Sequence, residues 1–193
     1  MSNANYLKNH FLIAMPRLLD PNFHQAVAYI YEHNEDGALG IVINKPLQRI
    51  SLGDVMRHLK INIENPDVDN FPVVSGGPVA REQGFIIVPT QNYTSHNDQD
   101  QLLAENDQVV ISSSKNLLES IAQGEMPEYF IISLGYCGWA AGQMEKEITE
   151  NTWLVAPLNT EILFQLPFEK RWRAAAASIG VDLNKLFHEA GHA

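Results

Sequence analysis

Two short apolar segments, residues 26–31 and 38–43, flank a polar stretch that ends in Asp36-Gly37. Both segments are rich in β-branched and aromatic residues, which favour strands. An Asp-Gly pair supplies the positive φ angles that a tight hairpin turn needs. The pattern predicts an antiparallel hairpin, and Pro46 ends its second strand because proline has no N–H for a sheet ladder.

Further apolar runs predict a mainly buried sheet. Strands are expected at residues 10–15, 72–75, 84–88, 108–111, 129–134 and 152–155. Helices are expected from Ser51 to Lys60, from Ser113 or Ser114 to Ala122, over residues 138–148 and in the C-terminal part. Because strands alternate with helices in the second half, we expect an α/β fold with the sheet covered on both faces. No repeat or linker divides residues 1–193, which we interpret as one domain.

The excess of acidic residues limits the classes of molecule that the chain is expected to bind. The net charge is −10, from 23 acidic and 13 basic residues, which repels phosphate backbones and makes nucleic acid an unlikely partner. Cys137 is the single cysteine, so no internal disulfide is expected. Neither a leader sequence nor a membrane-length apolar run is recognised, and a cytoplasmic location without membrane association is the default expectation.

The segment His188-Glu189-Ala190-Gly191-His192 matches the H-E-x-x-H pattern of zinc hydrolases. One residue follows it in this sequence, so no third ligand comes after it, and Gly191 loosens the helix that would set the two imidazoles on a metal. We interpret the match as a tail, and expect no metal and no cofactor. The polar cluster of Glu32, His33, Glu35 and Asp36 is interpreted as a hairpin tip, although it could also hold a metal.

Cys137 lies where a predicted strand meets a predicted helix, in Gly135-Tyr136-Cys137-Gly138. Backbone amides at such a turn lower a thiol pKa, and the geometry would resemble a nucleophile elbow. The spacing departs from G-x-S-x-G, and the sequence assigns no base. A small buried cysteine is therefore favoured over a catalytic one, with a hydrolase or transferase kept as an alternative.

Glycine turns also permit backbone N–H groups to approach an anion or another ligand. Tight turns alone explain the same glycines, and no Walker lysine accompanies them. We nevertheless place the candidate ligand site at the two glycine turns and the adjoining aromatic residues: Ser75, Gly76, Gly77, Gly135, Tyr136, Cys137, Gly138 and Trp139.

Collinear motifs along almost the whole chain resemble the bacterial YqgE/AlgH family. They are FLIAMP at residues 11–16, YEHNEDGALGIVINKP at 31–46, SGGPV at 75–79, LGYCGWAAGQMEKEI at 134–148, and the closing RW, IGVD and AGHA stretches. Members often carry alanine where this sequence has Cys137, which further disfavours thiol chemistry. The resemblance implies an α/β fold with α+β character, a layered sandwich whose mixed, partly antiparallel sheet is flanked by helices.

The molecular function of that family is largely unknown, and its AlgH branch is named as a regulator of alginate expression. That label suggests direct transcriptional control, which the net charge of −10 disfavours. The leading hypothesis is a non-enzymatic binding or indirect regulatory module. Its partner, a protein or a small ligand, and its oligomeric state are left open by the sequence.

Overall fold

The computed structural model describes residues 6–93, 101–125 and 127–189. Its strands are β1 (His10–Ala14), β2 (Val27–Asn34), β3 (Gly37–Val42), β4 (Pro46–Ser51), β5 (Pro72–Ser75), β6 (Val79–Pro89), β7 (Leu102–Glu105), β8 (Val109–Ser112), β9 (Ile131–Ala140) and β10 (Trp153–Pro157). Its helices are α1 (Leu52–His58), α2 (Lys115–Ala122), α3 (Gln143–Thr149), α4 (Thr160–Phe164), α5 (Phe168–Ala177) and α6 (Leu183–Glu189).

The strands form one sheet in the order β10-β1-β2-β3-β9-β6-β8-β7, with β5 also beside β9 and β4 beside β5. Among the described strands, β5 and β9 form the one parallel pair, over residues 73–75. The segment β8-α2-β9 has the predicted strand-helix-strand order, but β6 lies between the two strands and is antiparallel to both. The α/β prediction with flanking helices is confirmed, while the sheet is almost wholly antiparallel.

Helices cover both faces of the sheet, so neighbouring residues of one strand pack in different cores. On β6, Phe85 and Ile87 pack in the core formed with α4, α5 and α6, whereas Ile86 packs in the core beneath α1 and α2. On β1, Phe11 points to the first core and Leu12 to a third, which α3 covers. Successive residues of a strand face opposite sides of the sheet. Because both sides are buried here, these strands need continuous apolar runs.

Several local predictions are confirmed. The β2–β3 hairpin pairs Asn34 with Gly37. Ser51 caps α1 in a reciprocal arrangement in which its side chain accepts from the Asp54 N–H and its own N–H donates to Asp54 Oδ2 at 2.9 Å. Ser114 caps α2. None of the helices among the described residues is long and apolar enough to cross a membrane.

The prediction of a helix over residues 138–148 is wrong at its start. Strand β9 continues to Ala140, and α3 begins at Gln143. Cys137 pairs with Gly40 of β3, and Tyr136 pairs with Val79 of β6. Long-range pairing with two neighbouring strands thus overrides the local glycine signal.

Strands β4 and β7 were not predicted from the sequence. Most of the side chains of both are exposed or half-buried, because each strand is at an edge of the sheet. The sequence of β4, PLQRIS, lacks the continuous apolar run by which other strands were recognised, and the apolar run of β7 is three residues long, Leu102 to Ala104.

Candidate functional site

The structure brings the two predicted glycine segments together, but the second, residues 135–138, is part of strand β9 and the predicted turn there is wrong. Ser75 is the last residue of β5, and the Gly76 N–H donates to the carbonyl oxygen of Leu134 at 2.8 Å. The Gly76 carbonyl accepts from the Val42 N–H at 2.8 Å. The turn after β5 is therefore held between β3 and β9.

The glycines at this junction are required by close backbone packing. A Cβ on Gly76 would overlap the Gly135 carbonyl oxygen, and a Cβ on Gly77 would lie 2.6 Å from the Cys137 nitrogen. Gly77 and Gly135 also have positive φ angles, 153° and 77°. The turn after β5 and the adjoining part of β9 fill the space beside one another. Packing explains these glycines, while ligand binding at the predicted residues stays a prediction.

Cys137 lies inside β9 and is 1% exposed, so the predicted strand-to-helix junction at this residue is wrong, and the favoured interpretation of a small buried cysteine is confirmed. Its thiol donates to the Gly76 carbonyl oxygen at 3.2 Å. Burial raises the pKa of Cys137 to about 12, against the opposing effect of the Val42 backbone hydrogen bond. Since the thiolate is the nucleophilic form, this environment disfavours thiol chemistry.

The remaining predicted residues of β9 differ in burial: Tyr136 is half-buried, Gly138 is exposed and Trp139 is buried. Tyr136 is half-buried and meets Phe85 edge to face, with ring centroids 5.9 Å apart, and Gly138 pairs with Leu39 of β3. Trp139 is buried and donates its indole N–H to Glu147 Oε2 at 3.0 Å.

His33, at the predicted polar hairpin tip, is engaged at both ring nitrogens. Its Nδ1 accepts from the Leu7 N–H at 2.7 Å, which places the proton of a neutral ring on Nε2, 2.8 Å from Glu145 Oε1. In the described part of the chain, no three His, Cys, Asp or Glu residues gather as a metal site would require. The H-E-x-x-H match extends beyond the described residues.

A different feature has the form of a ligand site: a groove of about 760 Å³ beside α1, β6 and the first turns of α2. We call it the α1–α2 groove. Apolar side chains from α1, α2, β6 and β9 form its floor: Val55, Leu59, Ile86, Leu118, Ile132 and Leu134. Polar side chains form its rim: Asp54, His58, Arg81, Glu82, Gln101, Ser113 and Lys115.

Two exposed apolar side chains line this groove. Ile50 and Leu59 are each 39% exposed, so apolar surface at the groove is accessible to a ligand. Apolar surface within a concave site is typical of ligand pockets.

The charged groups of the rim differ in their hydrogen-bond and ion-pair partners. Asp54 accepts from the Ser51 N–H and from Arg57 Nη2, and these hydrogen bonds lower its pKa to about 2. Lys115 Nζ lies 3.5 Å from Glu119 Oε1. Arg81 donates to the neutral amide oxygen of Asn22 at 3.3 Å.

Sequence reasoning missed this groove because its lining comes from separate stretches of the chain, at residues 50–59, 81–86, 101–118 and 132–134. None of the eight predicted site residues is among its lining residues. One local signal existed. Leu59 lies within the predicted helix from Ser51 to Lys60, yet this apolar residue is 39% exposed and lines the groove instead of entering the core.

Comparisons with known proteins extend over the full chain. A family model described as AlgH-like matches residues 11–184. A UPF0301 protein of Coxiella burnetii is 46% identical over 193 residues, covering 100% of each chain. A UPF0301 protein of Erwinia tasmaniensis is 44% identical over 191 residues, covering 97% of this chain and 99% of its own.

Two solved structures are similar to this one. The solution structure of the AlgH protein from Pseudomonas aeruginosa matches with a TM-score of 0.76 and 44% identity, covering 100% of this chain and 99% of that one. The crystal structure of a protein from Corynebacterium diphtheriae matches with a TM-score of 0.72 and covers 96% of this chain and 94% of its own. At 19% identity, that second match establishes the fold alone.

Proposed function

The chain belongs to the AlgH-like family, as its motifs indicated, and we propose that it is a non-catalytic binding module that holds a ligand with an apolar body in the α1–α2 groove. The observation that carries this proposal is the groove itself, an apolar floor under a polar rim. Its volume of about 760 Å³ lies within the usual range of about 300–1,000 Å³ for ligand pockets.

Asp54 of the rim is suited to binding rather than to acid–base chemistry. A general acid or base works best with a pKa near the operating pH, whereas hydrogen bonds from Ser51 and Arg57 lower the pKa of Asp54 to about 2. Asp54 therefore stays ionised near neutral pH, which suits the orientation of a ligand.

A regulatory role would then be indirect. The net charge of −10 disfavours contact with DNA, so a change in transcription would follow from ligand or protein binding. The burial of Cys137 and its pKa of about 12 argue against the alternative of a thiol enzyme.

The neutral fluorescent probe 1-N-phenylnaphthylamine tests the proposal. We expect saturable fluorescence enhancement with the native chain, weakened by Leu59→Glu because a carboxylate is placed on the apolar floor. Leu19→Glu is the matched control: Leu19 is 76% exposed and does not line the groove. Equal binding by both variants, with unchanged melting temperatures, would contradict the proposal.

A further inference from the structure

The α1–α2 groove carries two cations beside its apolar floor, although the chain as a whole is strongly acidic. Arg81 of β6 and Lys115 at the start of α2 both line it. A ligand that enters the groove therefore meets positive charge next to apolar surface.

The Arg81 guanidinium has N–H donors available for a ligand. Its side chain is exposed, and within the described residues its hydrogen bond goes to Asn22, a neutral amide. A guanidinium has five N–H donors in a planar fork that matches a carboxylate or a phosphate in two parallel hydrogen bonds. No carboxylate among the described residues forms an ion pair with Arg81.

Lys115 is paired loosely. Its ammonium lies 3.5 Å from Glu119 Oε1 in a surface i,i+4 pair, and the lysine side chain is 59% exposed. Such pairs contribute little, because both side chains remain hydrated and lose freedom on pairing. An incoming anion can share this lysine with Glu119.

The acidic groups of the rim oppose an anion to different degrees. Asp54 shares Arg57 with Asp69: Arg57 Nη2 lies 2.9 Å from Asp54 Oδ1, and Arg57 Nη1 lies 2.6 Å from Asp69 Oδ1, so Arg57 offsets part of their negative charge. Glu82 stands next to Arg81 in the chain and opposes an anion. His58, at the end of α1, completes the ionisable groups of the rim.

We propose that the ligand of the α1–α2 groove is an amphiphilic anion, whose carboxylate or phosphate head is bound by Arg81 and Lys115 and whose elongated apolar body lies on Ile86, Leu118 and Ile132. This inference rests on the proposed function and adds the charge and shape of the ligand. The floor excludes water from the body, and the two cations replace the hydration of the head.

Calorimetric titration of the full chain with four probes of equal chain length tests the proposal: dodecanoate, dodecyl phosphate, dodecanol and dodecyltrimethylammonium. The charged probes are kept below their micelle concentrations and dodecanol below its solubility limit. We expect the anions to bind about ten-fold tighter than the cation. Comparison of the two anions distinguishes a carboxylate from a phosphate head.

Substitutions of rim residues test whether the anions bind in the groove. Arg81→Gln and Lys115→Gln are each expected to weaken dodecanoate binding by about three- to ten-fold, and Glu82→Gln to strengthen it. Lys146→Gln is the matched control, since Lys146 forms the same type of i,i+4 pair with Glu150, at 3.9 Å, on α3. The control should leave binding unchanged.

The outcomes separate the two proposals. If the anions, the alcohol and the cation bind equally well, the inference about the ligand's charge is overturned and the proposed function stands. If no probe of any charge binds, the proposed function fails. If Lys146→Gln weakens binding as much as Lys115→Gln, the anions bind to the general surface, and the assignment to the groove is overturned.

Discussion

The carbonyl oxygen of Gly77 lies so close to Gly135 that a Cβ on Gly135 would stand 2.6 Å from it. Gly77 lies in the turn after β5, and Gly135 lies within strand β9. The contact stands between the part of β9 that pairs with β5, ending at Leu134, and the part that pairs with β3, beginning at Cys137.

Gly135→Ala should therefore destabilise the protein by about 3 kcal/mol, because it combines an unfavourable φ with a steric overlap between backbones. Gly180→Ala separates the two causes: Gly180 has φ 76°, against 77° for Gly135, and its Cβ would meet nothing within 4 Å. We expect Gly180→Ala to cost about 1 kcal/mol. Urea unfolding of both variants is the measurement, and equal losses would refute the packing explanation.

The Cys137 thiol should be unreactive in the folded protein. Iodoacetamide labelling at mildly alkaline pH is expected to proceed only at the rate of opening, because burial raises the pKa of Cys137 to about 12. Denatured protein serves as the control and should label rapidly. Equally fast labelling of native and denatured chains would show that the thiol is accessible.

The same pKa difference has a consequence for stability. Above the ordinary thiol value of 9.0 the unfolded chain loses the Cys137 proton while the folded chain keeps it up to about 12. The folded state then binds more protons, so this residue lowers stability as pH rises from 9 towards 12. Urea unfolding across this pH interval should show a shallower decline in the free energy of unfolding for Cys137→Ala than for the parent chain. Parallel declines would contradict the proposed contribution of Cys137.

Glu147 accepts both indole N–H groups of the third core. Trp139 donates to its Oε2 at 3.0 Å and Trp153 to the same oxygen at 2.9 Å. Glu147→Ala should cost about 2–4 kcal/mol, since two largely buried donors lose their acceptor. Glu150→Ala, on the exposed side of the same region, is expected to change stability by less than about 0.5 kcal/mol. Tryptophan fluorescence during urea unfolding reports both effects, and equal costs would argue against the shared acceptor.

The hydrogen bonds of Asp54 in the cap of α1 make the stability of the folded chain depend on pH. The Ser51 N–H is the largest cause of its lowered pKa, followed by Arg57, so the folded value is about 2 against an ordinary 3.8. A depressed carboxyl pKa stabilises the folded state above the unfolded value, and this contribution is lost as pH falls from 3.8 through about 2. The stability difference between the parent chain and Asp54→Asn should therefore shrink over this range.

A double-mutant cycle with Ser51→Ala assigns that effect to the cap. Ser51 and Asp54 satisfy each other's backbone N–H groups, so their substitutions should be non-additive near neutral pH and closer to additive at pH 2. Additive losses at neutral pH would contradict the reciprocal arrangement.

Short-range signals were sufficient for several elements. Asp36-Gly37 predicted the β2–β3 turn because φ preferences are local, and Ser51 predicted the start of α1 because a cap satisfies N–H groups within three residues. The motifs likewise identified the family that the comparisons confirm. These features depend on neighbours in the chain, whose identities are visible in sequence.

Strand β9 and the α1–α2 groove were decided by partners distant in sequence. Gly138 and Trp139 suggested a helix start by their local context, but pairing with Leu39 and Ala38 of β3 holds them in a strand. The groove gathers Leu59, Arg81 and Lys115 from three separate elements. Hydrogen bonding between strands and burial between layers depend on which distant residues meet, and that meeting exists only in the folded chain.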